Sequence, residues 1–188
     1  MEKLNTIAKE LKKGKVIICP TDTVYGLIAD ANNKKAVERI LKIKKRPKNK
    51  ALPIFVRDLK MAKELAEIDK NQEKFLKSVW PGKITVVLKR KAKSEKRKIY
   101  GVEKETIALR VPSYKLVLDL LKKTNKPLTG TSANISNQAA SGDIKEVLKQ
   151  FEDQKLRPDL IIDAGNLPKS KPSIVIDLTE EPPKILRT

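Results

Sequence analysis

Seven side chains stand out as material for chemistry: Thr21, Thr23, Lys44, Arg46, Arg110, Ser132 and Asn134. They supply hydroxyls, an amide and cations. The rest of the composition narrows what they can do. The chain has no histidine and a single cysteine, Cys19. Serine–histidine–aspartate triads, histidine general bases and histidine-ligated metals are excluded, and one thiolate cannot build a metal centre. Phosphoryl and nucleotidyl transfer tolerate this toolkit, because charge neutralisation and alignment do most of the work there.

Each candidate also has a plain structural reading. Thr21 and Thr23 sit in a turn after the apolar run 16–19, where hydroxyls serve local turn hydrogen bonds. Lys44 and Arg46 lie at a helix end before Pro47, within the basic cluster 42–50, and the helix dipole favours cations there. Ser132 and Asn134 follow a short apolar run and are the usual caps of a following helix. Arg110 differs. It ends the mostly apolar stretch Ile107-Ala108-Leu109, so its head must reach a cleft or pair with a carboxylate. Neither Gly-x-x-x-x-Gly-Lys-Ser/Thr nor Gly-x-Gly-x-x-Gly occurs, which disfavours the common phosphate-loop folds.

The 188 residues suit one domain spanning 1–188. Forty-two Lys and Arg against 23 Asp and Glu give a net charge of +19. Such a surface attracts nucleic acid or phosphorylated small molecules; the alternative is a compositional excess of surface lysine. Aromatic residues are 4% of the chain, which argues against stacking platforms for single strands. No apolar run approaches the ~18 residues of a membrane span. The N-terminus is polar and amphipathic, without a signal-peptide core. A lone cysteine fits a reducing, cytoplasmic setting.

The positioning elements read as follows. Leu4, Ile7, Ala8 and Leu11 repeat at helical spacing, and Gly14 ends that helix. Strand 16–19 runs into the turn 20–27. Asn32 or Asn33 caps a helix burying Val37, Ile40 and Leu41, and Pro47 stops it. A strand at 52–56 and helices around Met61–Ala66 and Phe75–Val79 come next. Strands follow at 84–88 and 106–111, with a solvated charge run at 89–98 between them. Ser113 caps a helix burying Leu116, Val117, Leu120 and Leu121. One short strand at 127–131 leads into Ser132. Asp143 opens a helix, and 160–162, 174–178 and 185–186 are late strands. The mixture predicts an α/β (α+β) fold.

In order along the chain stand Pro20-Thr21-Asp22-Thr23-Val24-Tyr25-Gly26-Leu27, Lys44-Lys45-Arg46-Pro47, Trp80-Pro81-Gly82, Ala108-Leu109-Arg110-Val111-Pro112, Thr131-Ser132-Ala133-Asn134-Ile135-Ser136 and Pro172-Ser173-Ile174-Val175-Ile176-Asp177. This ordered set resembles the YrdC-type threonylcarbamoyl-AMP synthases over nearly the whole chain. The resemblance implies a twisted, mostly open mixed sheet flanked by helices around a large basic cavity. It implies a nucleotidyltransferase that makes threonylcarbamoyl-AMP and pyrophosphate from L-threonine, bicarbonate (or carbon dioxide) and ATP, with Mg2+. The product feeds threonylcarbamoyladenosine formation in tRNA through a separate transferase complex.

Carried over by motif, Lys44 and Arg46 are the family's Lys-x-Arg pair and would neutralise developing charge. Ser132 and Asn134 are its Ser-x-Asn pair, holding the nucleotide with Thr106 and Arg187. Thr21, Arg110 and Ser173 would bind threonine, Arg110 by gripping its carboxylate. Long forms carry a histidine near the position of Phe55 and a further C-terminal domain; this chain resembles the short forms. The rival reading is a non-catalytic module binding double-stranded RNA or tRNA through charge and shape. Lys44 and Arg46 end a helix whose apolar face lies elsewhere, so removing either is expected to abolish turnover without loss of stability.

Overall fold

A computed structural model describes residues 2–47, 49–91 and 98–188. The charge run expected at 89–98 therefore lies mostly outside the described residues.

Capping chemistry sets the helices. Helix α1 (Glu2–Lys12) buries Ile7, Ala8 and Leu11, and Gly14 follows it at φ 84°. Helix α2 (Lys34–Ile43) starts where the Asn33 side chain accepts from the Ala36 amide. Asp58 caps α3 (Leu59–Leu65). Asp69 and Gln72 form a reciprocal capping box on α4 (Lys70–Val79). Asp143 caps α6 (Ile144–Lys149). Helix α5 (Lys115–Thr124) departs from expectation. Its N-cap residue is Tyr114, without a side-chain cap bond. Ser113 does not cap it, because the Ser113 hydroxyl donates to Asp22 Oδ2 instead, at 2.8 Å.

The strands give the mixed α/β fold expected, with the mixed sheet divided into two. In the first, β1 (Ile17–Cys19) pairs antiparallel with β2 (Gly26–Ile28) and parallel with β8 (Leu160–Ile161). Strand β2 also pairs with β7 (Thr131–Ser132), giving the order β7-β2-β1-β8. The second sheet runs β10 (Lys184–Arg187), β9 (Ile174–Asp177), β4 (Ile84–Lys89), β5 (Thr106–Arg110), β3 (Ile54–Phe55) and β6 (Leu128–Thr129). The single strand expected at 127–131 is thus two strands, one in each sheet. Gly130 joins them with its amide on Pro53 O at 2.7 Å. A Cβ there would stand 2.7 Å from the Phe55 ring, so only glycine lets the chain cross at this point.

Strand alternation sorts the core into three clusters. Ile18 and Leu27 pack with α2 and α6. Ile17, Cys19, Ile28 and Phe55 pack with α1 and α5, a cluster that draws on both sheets. In the second sheet, Ile54, Val86, Leu88, Ile107 and Leu109 face α3 and α4. By the same alternation Phe55, Thr85, Ala108 and Arg110 lie on the opposite face, toward the site. The register pairs Phe55 with Arg110 directly.

Helix α2 ends in a Schellman motif. The Arg46 amide bonds Leu41 O at 2.9 Å and the Lys45 amide bonds Lys42 O at 3.1 Å. Lys45 occupies the left-handed position, at φ 49°. A left-handed conformation costs a non-glycine residue about 1–2 kcal/mol, and glycine's extra unfolded-state freedom costs about 0.5–1 kcal/mol. Lys45→Gly is therefore expected to raise stability by up to about 1 kcal/mol, read as a higher denaturant midpoint. A lower midpoint would mean that the Lys45 side chain holds the turn.

Candidate active site

The ends of several strands converge on one cavity of about 260 Å³. Thr21, Thr23, Val24 and Tyr25 enter from the loop after β1. Phe55 comes from β3, Arg110 from the end of β5, and Ser132 and Asn134 from β7 and the residues beyond it. Ser173 stands just before β9, Arg187 at the end of β10, and Arg46 after α2. Thr23, Val24 and Ala140 also line an adjoining space of about 410 Å³. Three guanidiniums, Arg46, Arg110 and Arg187, line the first cavity; no carboxylate is among its described lining residues.

Lys44 is the surprise. It is 2% exposed, not at the surface as its place at a helix end implied. The Schellman turn aims it inward, and its ammonium donates to Ser132 O and, at 2.9 Å each, to Asn134 O and Oδ1. The three acceptors match the three protons of the charged form. Ser132 Oγ donates to the same Asn134 Oδ1 at 2.6 Å, and the Ser136 amide bonds Lys44 O at 2.7 Å. The Lys-x-Arg and Ser-x-Asn motifs, about ninety residues apart, are thus one hydrogen-bonded unit. Burial lowers the Lys44 pKa to about 7, and the neighbouring Arg46 adds to the effect. Lys44 is not among the residues lining the cavity; Arg46 is. Arg46 holds Lys50 O through Nε at 3.1 Å and Ala51 O through Nη2 at 2.7 Å, and Nη1 makes no hydrogen bond among the described residues.

Arg110, 3% exposed, both pairs with a carboxylate and lines the cavity. Its Nε donates to Gly82 O at 2.8 Å. Its Nη2 lies 2.6 Å from Asp22 Oδ1, an ion-pair contact without hydrogen-bond alignment. Burial lowers the Arg110 pKa, Asp22 opposes the shift, and the charge of Arg187 adds to it. The Phe55 ring centroid is 5.8 Å from the guanidinium carbon. Arg187 grips Ser173 O with Nε and Nη2, at 3.0 and 2.6 Å, and Ser173 Oγ at 3.0 Å. Ser173 Oγ also meets Thr85 Oγ1 at 2.9 Å.

Thr21 serves the turn as well as the cavity wall. Its hydroxyl bonds Val24 O at 2.7 Å and lies 3.1 Å from both the Thr23 amide and the Thr23 hydroxyl. Thr106, like Lys44, is an expected site residue that does not line the cavity. It pairs with Lys89 at the far end of β5, on the face that Arg110 shares, about 13 Å along the strand at ~3.3 Å per residue. Asp22, Tyr25, Thr85 and Gln138 were not singled out from sequence. Asp22 alone carried a signal, a carboxylate between two hydroxyls in Pro-Thr-Asp-Thr.

Among the described residues no group of three acids, cysteines or histidines could hold a metal ion, and no helix is long and apolar enough to cross a membrane.

The Sua5/YciO/YrdC family model, described as telomere recombination, matches residues 9–188. A Pyrococcus abyssi protein named threonylcarbamoyl-AMP synthase is 36% identical over 186 residues, covering 98% of this chain and 53% of its own length. The chain therefore spans about half of that relative. The structure of P. abyssi Sua5 complexed with L-threonine superposes with a TM-score of 0.87 at 34% identity, over 98% of this chain and 53% of that one. The structure of Escherichia coli YciO gives 0.84 at 30% identity, over 99% and 88%. The chain belongs to the Sua5/YciO/YrdC family.

Proposed function

We propose that this chain is a threonylcarbamoyl-AMP synthase, a nucleotidyltransferase using L-threonine, bicarbonate or carbon dioxide, and ATP. The observation that carries the reading is a cavity lined by three guanidiniums and several hydroxyls with no carboxylate among its described lining residues. Such a wall favours substrates that bring negative charge: an amino-acid carboxylate and a polyphosphate. The relatives' names and the threonine complex of P. abyssi Sua5 support the same choice.

In this reading the threonine amine takes up carbon dioxide as a carbamate and loses a proton. A carbamate oxygen attacks the α-phosphorus of ATP in line. The bond from that phosphorus to the bridging oxygen breaks, and pyrophosphate leaves with the electron pair. Arg110 holds the threonine carboxylate, with Thr21 and Ser173 beside it. Arg46 and Arg187 neutralise phosphate charge, and Ser132 and Asn134 form the wall that Lys44 braces. Thr106 lies beyond the described cavity and would meet only a nucleotide extended along β5. Magnesium would arrive on the ATP phosphates, since the described residues offer it no ligand cluster. The product would pass to a tRNA-modifying transferase complex in the cytoplasm, a setting that the free, buried Cys19 fits.

The test is pyrophosphate release from ATP, magnesium and bicarbonate. Release is expected only when L-threonine is present. ATP turnover of equal rate without threonine rejects the proposal.

A further inference from the structure

We infer that Asp22 is a positioning residue for Arg110 and sets which anions the cavity accepts; its threonine arm rests on the synthase reading. Asp22 does not line the cavity. It stands behind Arg110, with its side chain 7% exposed. Its Oδ2 accepts from the Ser113 amide at 3.0 Å and the Ser113 hydroxyl at 2.8 Å, which fixes the carboxylate at the entry to α5. That leaves Oδ1 for Arg110 Nη2, and neither of these two buried atoms has an aligned hydrogen-bond partner. Gly82 O holds Nε from the other side. The guanidinium is thus held at two edges by groups that belong to different parts of the chain; Nη1, which makes no hydrogen bond among the described residues, is the donor that meets a ligand in this inference.

Charge gives the second half of the inference. Arg110 and Arg187 are close enough for each other's charge to matter, and Arg46 lines the same cavity. Asp22 compensates one of these cations from the protein side. In a buried setting such compensation acts strongly on whatever binds in front. With the Asp22 carboxylate behind it, the Arg110 position suits a single carboxylate. With an uncharged side chain substituted at position 22, three uncompensated guanidiniums favour a polyanion, which gains from each of them.

The experiment compares Asp22→Asn with the unaltered full chain by calorimetric titration with L-threonine and with inorganic pyrophosphate. Asparagine is nearly isosteric and can still accept from Ser113. Threonine binding is expected to weaken on the order of tenfold, while pyrophosphate binding tightens on the order of tenfold. Opposite signs are the result that a merely structural role cannot give. Ser113→Ala loosens the carboxylate without changing charge. It should weaken threonine severalfold and leave pyrophosphate within about twofold. Both ligands weakening together in Asp22→Asn, or threonine binding unmoved in either variant, overturns the inference. An unaltered chain that binds no threonine rejects the synthase reading instead, and the pyrophosphate titration still decides the role of the Asp22 charge.

Discussion

Lys44→Met is expected to cost about 2–4 kcal/mol of stability and to abolish turnover. The substitution keeps the bulk of the stem and removes the three donors that Ser132 O, Asn134 O and Asn134 Oδ1 accept from. Those acceptors stay buried, and an unpaired buried polar group costs about 1–3 kcal/mol. The segment 132–136 should loosen, and with it the wall that carries Ser132 and Asn134. Arg46→Ala makes the contrast. Arg46 is half-buried, and its hydrogen bonds to described residues go to the carbonyls of Lys50 and Ala51. Its loss should cost about 1 kcal/mol or less while lowering the rate on the order of 10²–10³. Denaturant midpoints and pyrophosphate release therefore separate the pair: both fall for Lys44, only the rate for Arg46. Equal midpoints for the two variants would show that the Lys44 ammonium holds nothing.

The same residue predicts a pH dependence. Its pKa is about 7 in the folded protein against 10.5 for an ordinary lysine. Between these values the unfolded chain binds a proton that the folded chain has shed, so stability from this group rises with pH across that window. It is fully present above 10.5 and lost as pH falls through 7. The stability gap between the unaltered chain and Lys44→Met should widen from pH 7 toward alkaline pH. A gap that stays level would place the folded pKa near its ordinary value.

Sequence carried the elements that announce themselves locally. Asn33, Asp143 and Gly14 mark helix ends by chemistry that needs no partner elsewhere. The β-branched runs at 84–88 and 106–111 became β4 and β5. The features missed depend on distant partners. Strand β2 was read as part of a turn, because Gly26 and Leu27 give no alternation and β2 is recognisable only beside β1 and β7. The jump between sheets at Gly130 is set by Phe55, seventy-five residues earlier in the chain (130 minus 55). A buried lysine has no local mark in a chain with 42 Lys and Arg; its acceptors lie 88 and 90 residues away. Ser113 was read as a cap because the rule is local, yet a carboxylate 91 residues earlier outcompetes that role. Thr21, Arg46, Arg110, Ser132, Asn134 and Ser173 of the ordered motifs, with Arg187 beyond them, nonetheless line one cavity.

Arg110→Lys should raise the L-threonine requirement on the order of 10–100-fold and change the ATP requirement by about threefold or less. Lysine, not alanine, is the informative replacement. Alanine would leave the Asp22 charge buried and alone, at a cost of about 3–5 kcal/mol, and a folding defect would mask the chemistry. Lysine keeps a cation against Asp22 but loses the planar guanidinium that can hold Gly82 O, Asp22 and a ligand carboxylate at the same time. Substrate analogues complete the test. Valine matches threonine in shape but lacks the hydroxyl. A site that hydrogen-bonds a substrate hydroxyl leaves its own buried polar groups unpaired when that hydroxyl is missing, and such sites discriminate by about 10⁴–10⁵. Thr21 and Thr23 stand with their hydroxyls 3.1 Å apart at the cavity wall, and Ser173 lines the same cavity. Valine should therefore release pyrophosphate at least about 10³-fold less efficiently than threonine. Serine keeps the hydroxyl and loses one methyl, a difference of about 1–3 kcal/mol, or roughly 10–200-fold, so it should rank between the two. The order threonine, serine, valine in pyrophosphate release, with the threonine requirement alone moved in Arg110→Lys, ties the guanidinium to the carboxylate and the hydroxyls to the side chain. Valine turned over as well as threonine, or an ATP requirement that climbs in step with the threonine requirement, would detach Arg110 from the amino acid and leave it as one more phosphate-binding cation.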